Sequence, residues 1–183
     1  MRNLVYAINL TIDGCFDHTK VIPSEDLYEF YTDLLQSADL LLYGRITYQL
    51  MVPYWPDAAK TPSASKAEDN FAKTFVSVKK AVVSRTLEGL EDDTQIIHTN
   101  LKEEILKLKD QPGRSILVGG VDLPSQLIAL GLVDEFYFVV HPVLAGDGRR
   151  LLESINLPEK LKLKLVESRP LGSGCVALHY QKE

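Results

Sequence analysis

Two hydrophobic rhythms alternate along this chain: unbroken apolar runs, and stretches where apolar residues recur every three or four positions. Asn3 to Leu10 is an apolar, strand-like run closed by the turn residues Asp13-Gly14. Pro23-Ser24 opens a helix with Glu25 and Asp26 in its first turn and Leu27, Phe30, Tyr31, Leu34 and Leu35 on one face. Asp39 to Tyr43 is continuously apolar after its first residue, as a strand covered on both faces requires. A short helix is expected after Gly44, then a loop from Pro53 to Ser65, where Pro, Ala and Ser dominate. Lys66 to Val76 reads as a helix, and Ala81 to Ser84 and Gln95 to Ile97 as short strands.

Asn100, with Glu103 three residues on, resembles a capping box for a helix that buries Leu101, Ile105 and Leu108. Ser115 to Val118 is a strand turning at Gly119-Gly120 into a helix capped by Asp122, with Pro124 in its first turn and Gly131 at its end. Glu135 to His141 is a β-branched and aromatic strand. Leu161, Leu163 and Leu165, then Val176, Leu178 and Tyr180 beyond Gly172-Ser173-Gly174, predict an antiparallel hairpin. The order predicts a single α/β domain over 1–183: a mixed, mostly parallel sheet flanked by helices and closed by a C-terminal hairpin.

Composition narrows the function classes. A net charge of −5 leaves no general basic surface for nucleic acid or an anionic membrane. No apolar window reaches the length of a membrane span, and the amino-terminal pattern is that of a strand, not a signal peptide. The two cysteines, Cys15 and Cys175, show no metal or redox spacing, so a reduced, cytoplasmic protein without a metal is expected.

The candidate chemistry lies at three strand ends: Leu41-Leu42-Tyr43-Gly44-Arg45-Ile46-Thr47-Tyr48, Val82-Val83-Ser84-Arg85-Thr86, and Leu117-Val118-Gly119-Gly120-Val121-Asp122-Leu123. Ligands of open α/β sheets bind at such carboxyl ends. Glycines admit a phosphate close to backbone N–H groups, helix starts favour anions, and guanidinium groups add charge-assisted bonds. Together they point to a phosphorylated dinucleotide, although the usual GxGxxG fingerprint is absent.

These stretches, with Leu132-Val133-Asp134-Glu135 and His141-Pro142-Val143-Leu144-Ala145-Gly146-Asp147-Gly148-Arg149-Arg150-Leu151-Leu152, resemble the dihydrofolate-reductase-like family. The resemblance is to the branch holding the reductase domain of riboflavin biosynthesis and its stand-alone relatives. It implies NADPH bound across the carboxyl edge, with Gly44 admitting the cofactor and Arg45 and Thr47 at its phosphates. Ser84, Arg85 and Thr86 would hold the adenosine end with its 2′-phosphate. Val118, Gly119, Gly120, Val121 and Leu123 would underlie the pyrophosphate and nicotinamide ribose, and Ala7 and Ile8 the nicotinamide ring.

For a proton donor, Asp26-Leu27-Tyr28-Glu29-Phe30 resembles the family pattern that sets a carboxylate under the substrate, where partial burial would raise its pKa. Its plainer reading is an acid favouring a helix start. Asp13, in the loop expected to fold over the nicotinamide, is the second candidate, its plainer reading a turn residue. Phe30 and Val139 are expected against the substrate. Tyr54-Trp55-Pro56 either lines the substrate mouth or simply packs. His141 shows no partner in sequence, and His18, His98 and His179 read as surface or strand residues.

Three departures count against dihydrofolate itself: Val139 where that enzyme carries Thr, no Trp in the loop Phe16 to Ile22, and Val121 for a third Gly. The expected function is therefore NADPH-dependent reduction resembling that of 5-amino-6-(5-phosphoribosylamino)uracil. The alternatives are dihydrofolate reduction and a non-catalytic NADP(H)-binding module. The expected partner is a small-molecule substrate, and a homodimer is common in this branch.

Overall fold

The computed structural model describes residues 1–183 apart from Asp17, His18, Lys20, Ile22, Glu91, Asp92 and Ser154. The expectation for His18, and most of the Phe16 to Ile22 loop, fall outside the described residues.

Strand β1 (Leu4–Thr11) leads to α1 (Glu25–Ser37), which runs directly into β2 (Ala38–Gly44). Helices α2 (Arg45–Ala58) and α3 (Lys66–Ser77) follow, then β3 (Lys79–Val83), β4 (Gln95–Ile97) and α4 (Leu101–Asp110). The chain continues through β5 (Ser115–Gly119), α5 (Asp122–Ala129) and β6 (Glu135–His141) to the hairpin β7 (Leu163–Pro170) and β8 (Val176–Lys182). One sheet results, in the order β4-β3-β2-β5-β1-β6-β8-β7. The strands from β4 to β6 run parallel, and β8 and β7 pair antiparallel beyond them.

Both faces of the central strands are covered, which is why their sequences are continuously apolar and do not alternate. Leu41 and Val82 join Leu27, Phe30, Leu34 and Phe75 of α1 and α3 on one face. Leu40, Leu42, Ile116 and Val118 meet Ile105 of α4 and Leu127 of α5 on the other. The chain reverses direction across the sheet when α4 returns it from β4 to β5, between β2 and β1. That return puts a topological switch point beside β1.

Three local expectations are corrected. The loop predicted from Pro53 is helical through Ala58, with Pro53 and Pro56 inside α2. Each proline removes one backbone donor. What holds the turn is Trp55, packed against Phe71 at 4.6 Å and Tyr28 at 6.2 Å between ring centroids. Tyr54-Trp55-Pro56 is thus helix, with Trp55 in an aromatic cluster. Asn100 takes a left-handed conformation, φ 53°, and its side chain caps nothing. Asp122 is the first residue of α5, not its cap, and its carboxylate bonds Arg149 at 2.8 Å.

Candidate functional site

The carboxyl ends of β3, β2, β5, β1 and β6 lie side by side on one edge of the sheet. At the end of β2, Gly44 passes straight into α2, whose start has no side-chain cap and no acid in its first turn. Among the described residues no side chain is seen to bond the N–H groups of Arg45, Ile46 and Thr47, which suits that end to an anion, with the exposed Arg45, bonded to Gln49, at its mouth. The start of α5 is a poorer anion site, because Asp122 occupies its first turn and Pro124 lacks an N–H.

Between these helix starts, Gly119 and Gly120 form a tight turn. A Cβ on Gly119 would come 2.9 Å from the Tyr43 ring; on Gly120, where φ is +94°, it would run into Thr47 Oγ1. The Gly120 carbonyl accepts from the Tyr6 hydroxyl at 3.1 Å. A Cβ at Gly44 would meet only Leu123, at an ordinary 3.5 Å. Leu123 is buried there as packing between α5 and β2. Val118 is fully buried and faces the α4–α5 core, so its side chain does not reach the edge. Val121 is the half-exposed cap residue of α5.

At the end of β3 the Ser84 hydroxyl accepts from the N–H groups of Thr86 (3.2 Å) and Leu87 (3.0 Å), shaping the turn that follows. Arg85 and Thr86 are exposed on that turn, and Arg85 has no ion-pair partner among the described residues.

Beside this groove β1 loses a neighbour. Its pairing with β5 ends at Tyr6 opposite Val118, yet it continues to Thr11 with β6 still alongside, Thr11 opposite His141. Ala7 and Ile8, expected at the nicotinamide ring, are the first residues past the last β5 pair and sit mid-strand, largely buried. An unpaired strand edge, a glycine turn and the start of α2 thus meet at the carboxyl edge, where ligands of open α/β sheets bind.

The sequence matches the RibD C-terminal domain family over residues 2–177. The chain belongs to that family. It is 38% identical to the Bacillus subtilis protein YyaP over 185 residues, covering 98% of this chain and 94% of that one. A second B. subtilis protein, YwjB, is 26% identical over 98% of this chain and 97% of its own. A pyrimidine reductase-like protein from Corynebacterium diphtheriae superposes with a TM-score of 0.71 at 15% identity, over 100% of this chain and 92% of that one. The dihydrofolate reductase of Enterococcus faecalis, solved with NADP(H), gives 0.64 at 14% identity over 99% and 96%. A Thermotoga maritima deaminase/5-amino-6-(5-phosphoribosylamino)uracil reductase gives 0.70 at 16% identity; this chain corresponds to 57% of that longer one. The fold is thus dihydrofolate-reductase-like, shared with these reductases and reductase-like proteins.

Within this RibD C-terminal domain the two candidate carboxylates are hydrogen-bond hubs. Asp13 accepts from the Thr11 hydroxyl at 2.6 Å and from the N–H groups of Ala145 (3.0 Å) and Gly146 (2.9 Å). These bonds, Thr11's foremost, hold its carboxyl far below the usual carboxylate range. It ties the loop after β1 to the segment after β6, helped by Ile12 N–H to the Val143 carbonyl and Arg150 Nε to the Asp13 carbonyl. Asp26 accepts from the Ser24 hydroxyl at 2.5 Å and from the Ser173 N–H at 2.8 Å, pinning α1 to the β7–β8 turn. Its pKa is lowered, Ser24 being the main cause, where a proton relay was expected to show a raised one. Both carboxylates are held ionised.

Phe30 is buried on α1 with its ring 6.2 Å from Tyr137, and Val139 is fully buried on β6 between Asn9 and Ala177. His141 is no lone histidine. It is buried against Cys175 and Asn9. Asn9 and Thr11 were passed over in the sequence, although a signal was there. They are polar residues on the same strand face as Val5 and Ala7, a position an apolar core would fill. Arg149 and Arg150 also line a cleft of about 250 Å³ with Val121 and Asp122 at the start of α5. Among the described residues no cluster of His, Cys, Asp and Glu could hold a metal ion, and no helix is long and apolar enough to cross a membrane.

Proposed function

We propose that this protein is an NADPH-dependent reductase, acting in the cytoplasm on a small heterocycle of the ribosylamino-pyrimidine kind. The observation that carries this reading is the gap beside β1: an unpaired strand edge at Ala7 and Ile8, flanked by the Gly119–Gly120 turn and the uncapped start of α2. The residues fit the cofactor. A side chain at Gly119 or Gly120 would run into Tyr43 or Thr47, so glycine is what keeps this turn tight against the start of α2, and Thr47 with the α2 N–H groups would take the pyrophosphate.

Arg45 would screen the phosphates. Ser84, its lone pairs engaged by Thr86 and Leu87, keeps its hydrogen to donate, and Arg85 is free to meet a 2′-phosphate. Bound there, NADPH supplies the hydride, and the chain has to orient the ring and exclude water. Asp13 serves by tying the loop after β1 to the segment after β6. The names of the pyrimidine reductase-like and uracil reductase neighbours support the substrate class. Dihydrofolate is less favoured, since Asp26 is engaged with the hairpin turn.

Fluorescence titration with NADPH and NADH tests the reading. Tighter NADPH binding is expected, and Arg85→Ala should erase about 1.5–3 kcal/mol of the preference, one charge-assisted contact. Equal binding of both cofactors, or of neither, would contradict it.

A homodimer is proposed alongside, through the outer edge of β7. That strand is exposed along almost its whole length, with Leu165 and Val166 about half exposed, and such an edge invites strand pairing. Light scattering should give twice the chain mass for the wild type and the monomer mass for Val166→Lys; a monomeric wild type would refute it.

A further inference from the structure

On the α1 face of the sheet, past the last β5 pair, hydrogen bonds join side chains from three carboxyl-edge segments. Asn9 of β1 is partly exposed, whereas His141 of β6 and Cys175, just before β8, are 1% and 2% exposed. Asn9 Oδ1 lies 3.0 Å from His141 Nε2, and Cys175 Sγ lies 3.2 Å from His141 Nδ1.

Burial lowers the pKa of His141 and so favours the neutral ring, which has one N–H. The amide oxygen of Asn9 can only accept, so that hydrogen sits on Nε2. Nδ1 is then left to accept the Cys175 S–H. With Asn9 Oδ1 toward His141 the string has one polarity, and Nδ2 lies on the far side of the amide. No acceptor among the described residues takes the Nδ2 hydrogens. Nearby, on α1, the buried Tyr31 hydroxyl also lacks a hydrogen-bond partner among the described residues and feels the Cys175 sulfur electrostatically. The Tyr31 hydroxyl, shut away from water with nothing to bond, carries a cost in stability, and the Asn9 hydrogens are left open to a partner.

We propose that Asn9 reads the substrate: its Nδ2 hydrogens donate to a hydrogen-bond acceptor of the molecule that receives the hydride. His141 and Cys175 are positioning residues that fix which end of the amide faces it. The proposal rests on the reductase reading, because the unpaired part of β1 is where that reading puts the reacting ring.

The test is one of hydrogen-bond polarity. NADP⁺-loaded protein is titrated by calorimetry with uracil, which presents two ring carbonyl acceptors, and with 2,4-diaminopyrimidine, which presents amino donors at the same positions. The wild type should prefer uracil by about tenfold, the scale of one well-placed hydrogen bond. Asn9→Asp, offering only acceptors, should reverse the preference. His141→Phe, which frees the amide to turn over, should bring the two probes near parity.

Long-range ¹⁵N–¹H spectra should show the His141 hydrogen on Nε2 from pH 6 to 8. If Asn9→Asp does not fold, Asn9→Ala takes its place and should likewise give near parity. An unchanged preference in the variants, a hydrogen on Nδ1, or no binding of either probe to NADP⁺-loaded wild type overturns the proposal. Failure of the wild type to bind NADP⁺ at all would instead sink the reductase reading.

Discussion

Two glycines in the proposed groove exist for different reasons, and substitution separates them. Gly120 needs its φ of +94°, and a Cβ there collides with Thr47. Gly120→Ala should therefore cost about 1–3 kcal/mol of stability and also weaken NADPH binding. Gly44 has φ −76°, a conformation any residue adopts, and room for a methyl against Leu123. The fold alone gives it little reason to be glycine. Gly44→Ala should lower the melting temperature only slightly, glycine being mildly preferred to alanine at a helix start, while weakening NADPH binding at least about fivefold if a ligand passes over that backbone. Unchanged affinity in Gly44→Ala would show that nothing approaches there.

At the scale of elements, the strands and most helices were legible because burial on both faces writes them as apolar runs and stripes. Glu135 to His141 coincides with β6, and Lys66 to Val76 differs from α3 by one residue. What escaped was decided by contacts distant in sequence. Pro53 and Pro56 read as loop, and only the packing of Trp55 against Phe71 of α3 explains why α2 passes through them. Asp26 was ambiguous for the same reason, since its Ser173 partner lies on the far hairpin.

The Asp26 contact carries a sign. The folded pKa is depressed, so the stabilisation is present above the unfolded carboxyl value and lost as pH falls through the folded one. Asp26→Asn should lower stability by about 1 kcal/mol at neutral pH. The deficit should close as pH drops below about 4, the unfolded value. A variant with unchanged stability that loses turnover would restore Asp26 as a proton relay.

Across the whole molecule, the ion pairs with a buried member, Arg2–Asp39 and Lys109–Asp134, lie on the edge of the sheet opposite the candidate ligand residues. At the amino edge Arg2 pairs with Asp39, which also accepts from the Arg114 N–H, and the buried Lys109 pairs with Asp134 at 2.6 Å. Asp134 further accepts from the Leu4 N–H at 2.7 Å, anchoring β1, so its place in a family-like motif has a structural cause. Removing one member of a buried pair strands the other charge, so Asp134→Ala should cost about 3 kcal/mol. The carboxyl edge, by contrast, holds the uncapped α2 start, the glycine turn and an exposed Arg85.

This separation predicts additive behaviour in thermal melts. At a hundred times its dissociation constant, NADPH should add about 2.7 kcal/mol, or about 5–10 °C for a chain of this size. Asp134→Ala should lower the melting temperature with and without NADPH by the same amount, leaving that increment intact. Gly44→Ala should instead shrink the increment and nearly spare the baseline. Were Asp134→Ala to abolish the NADPH shift in a protein still folded by circular dichroism, the two edges would be coupled, and the amino-edge ion pairs would belong to the ligand site.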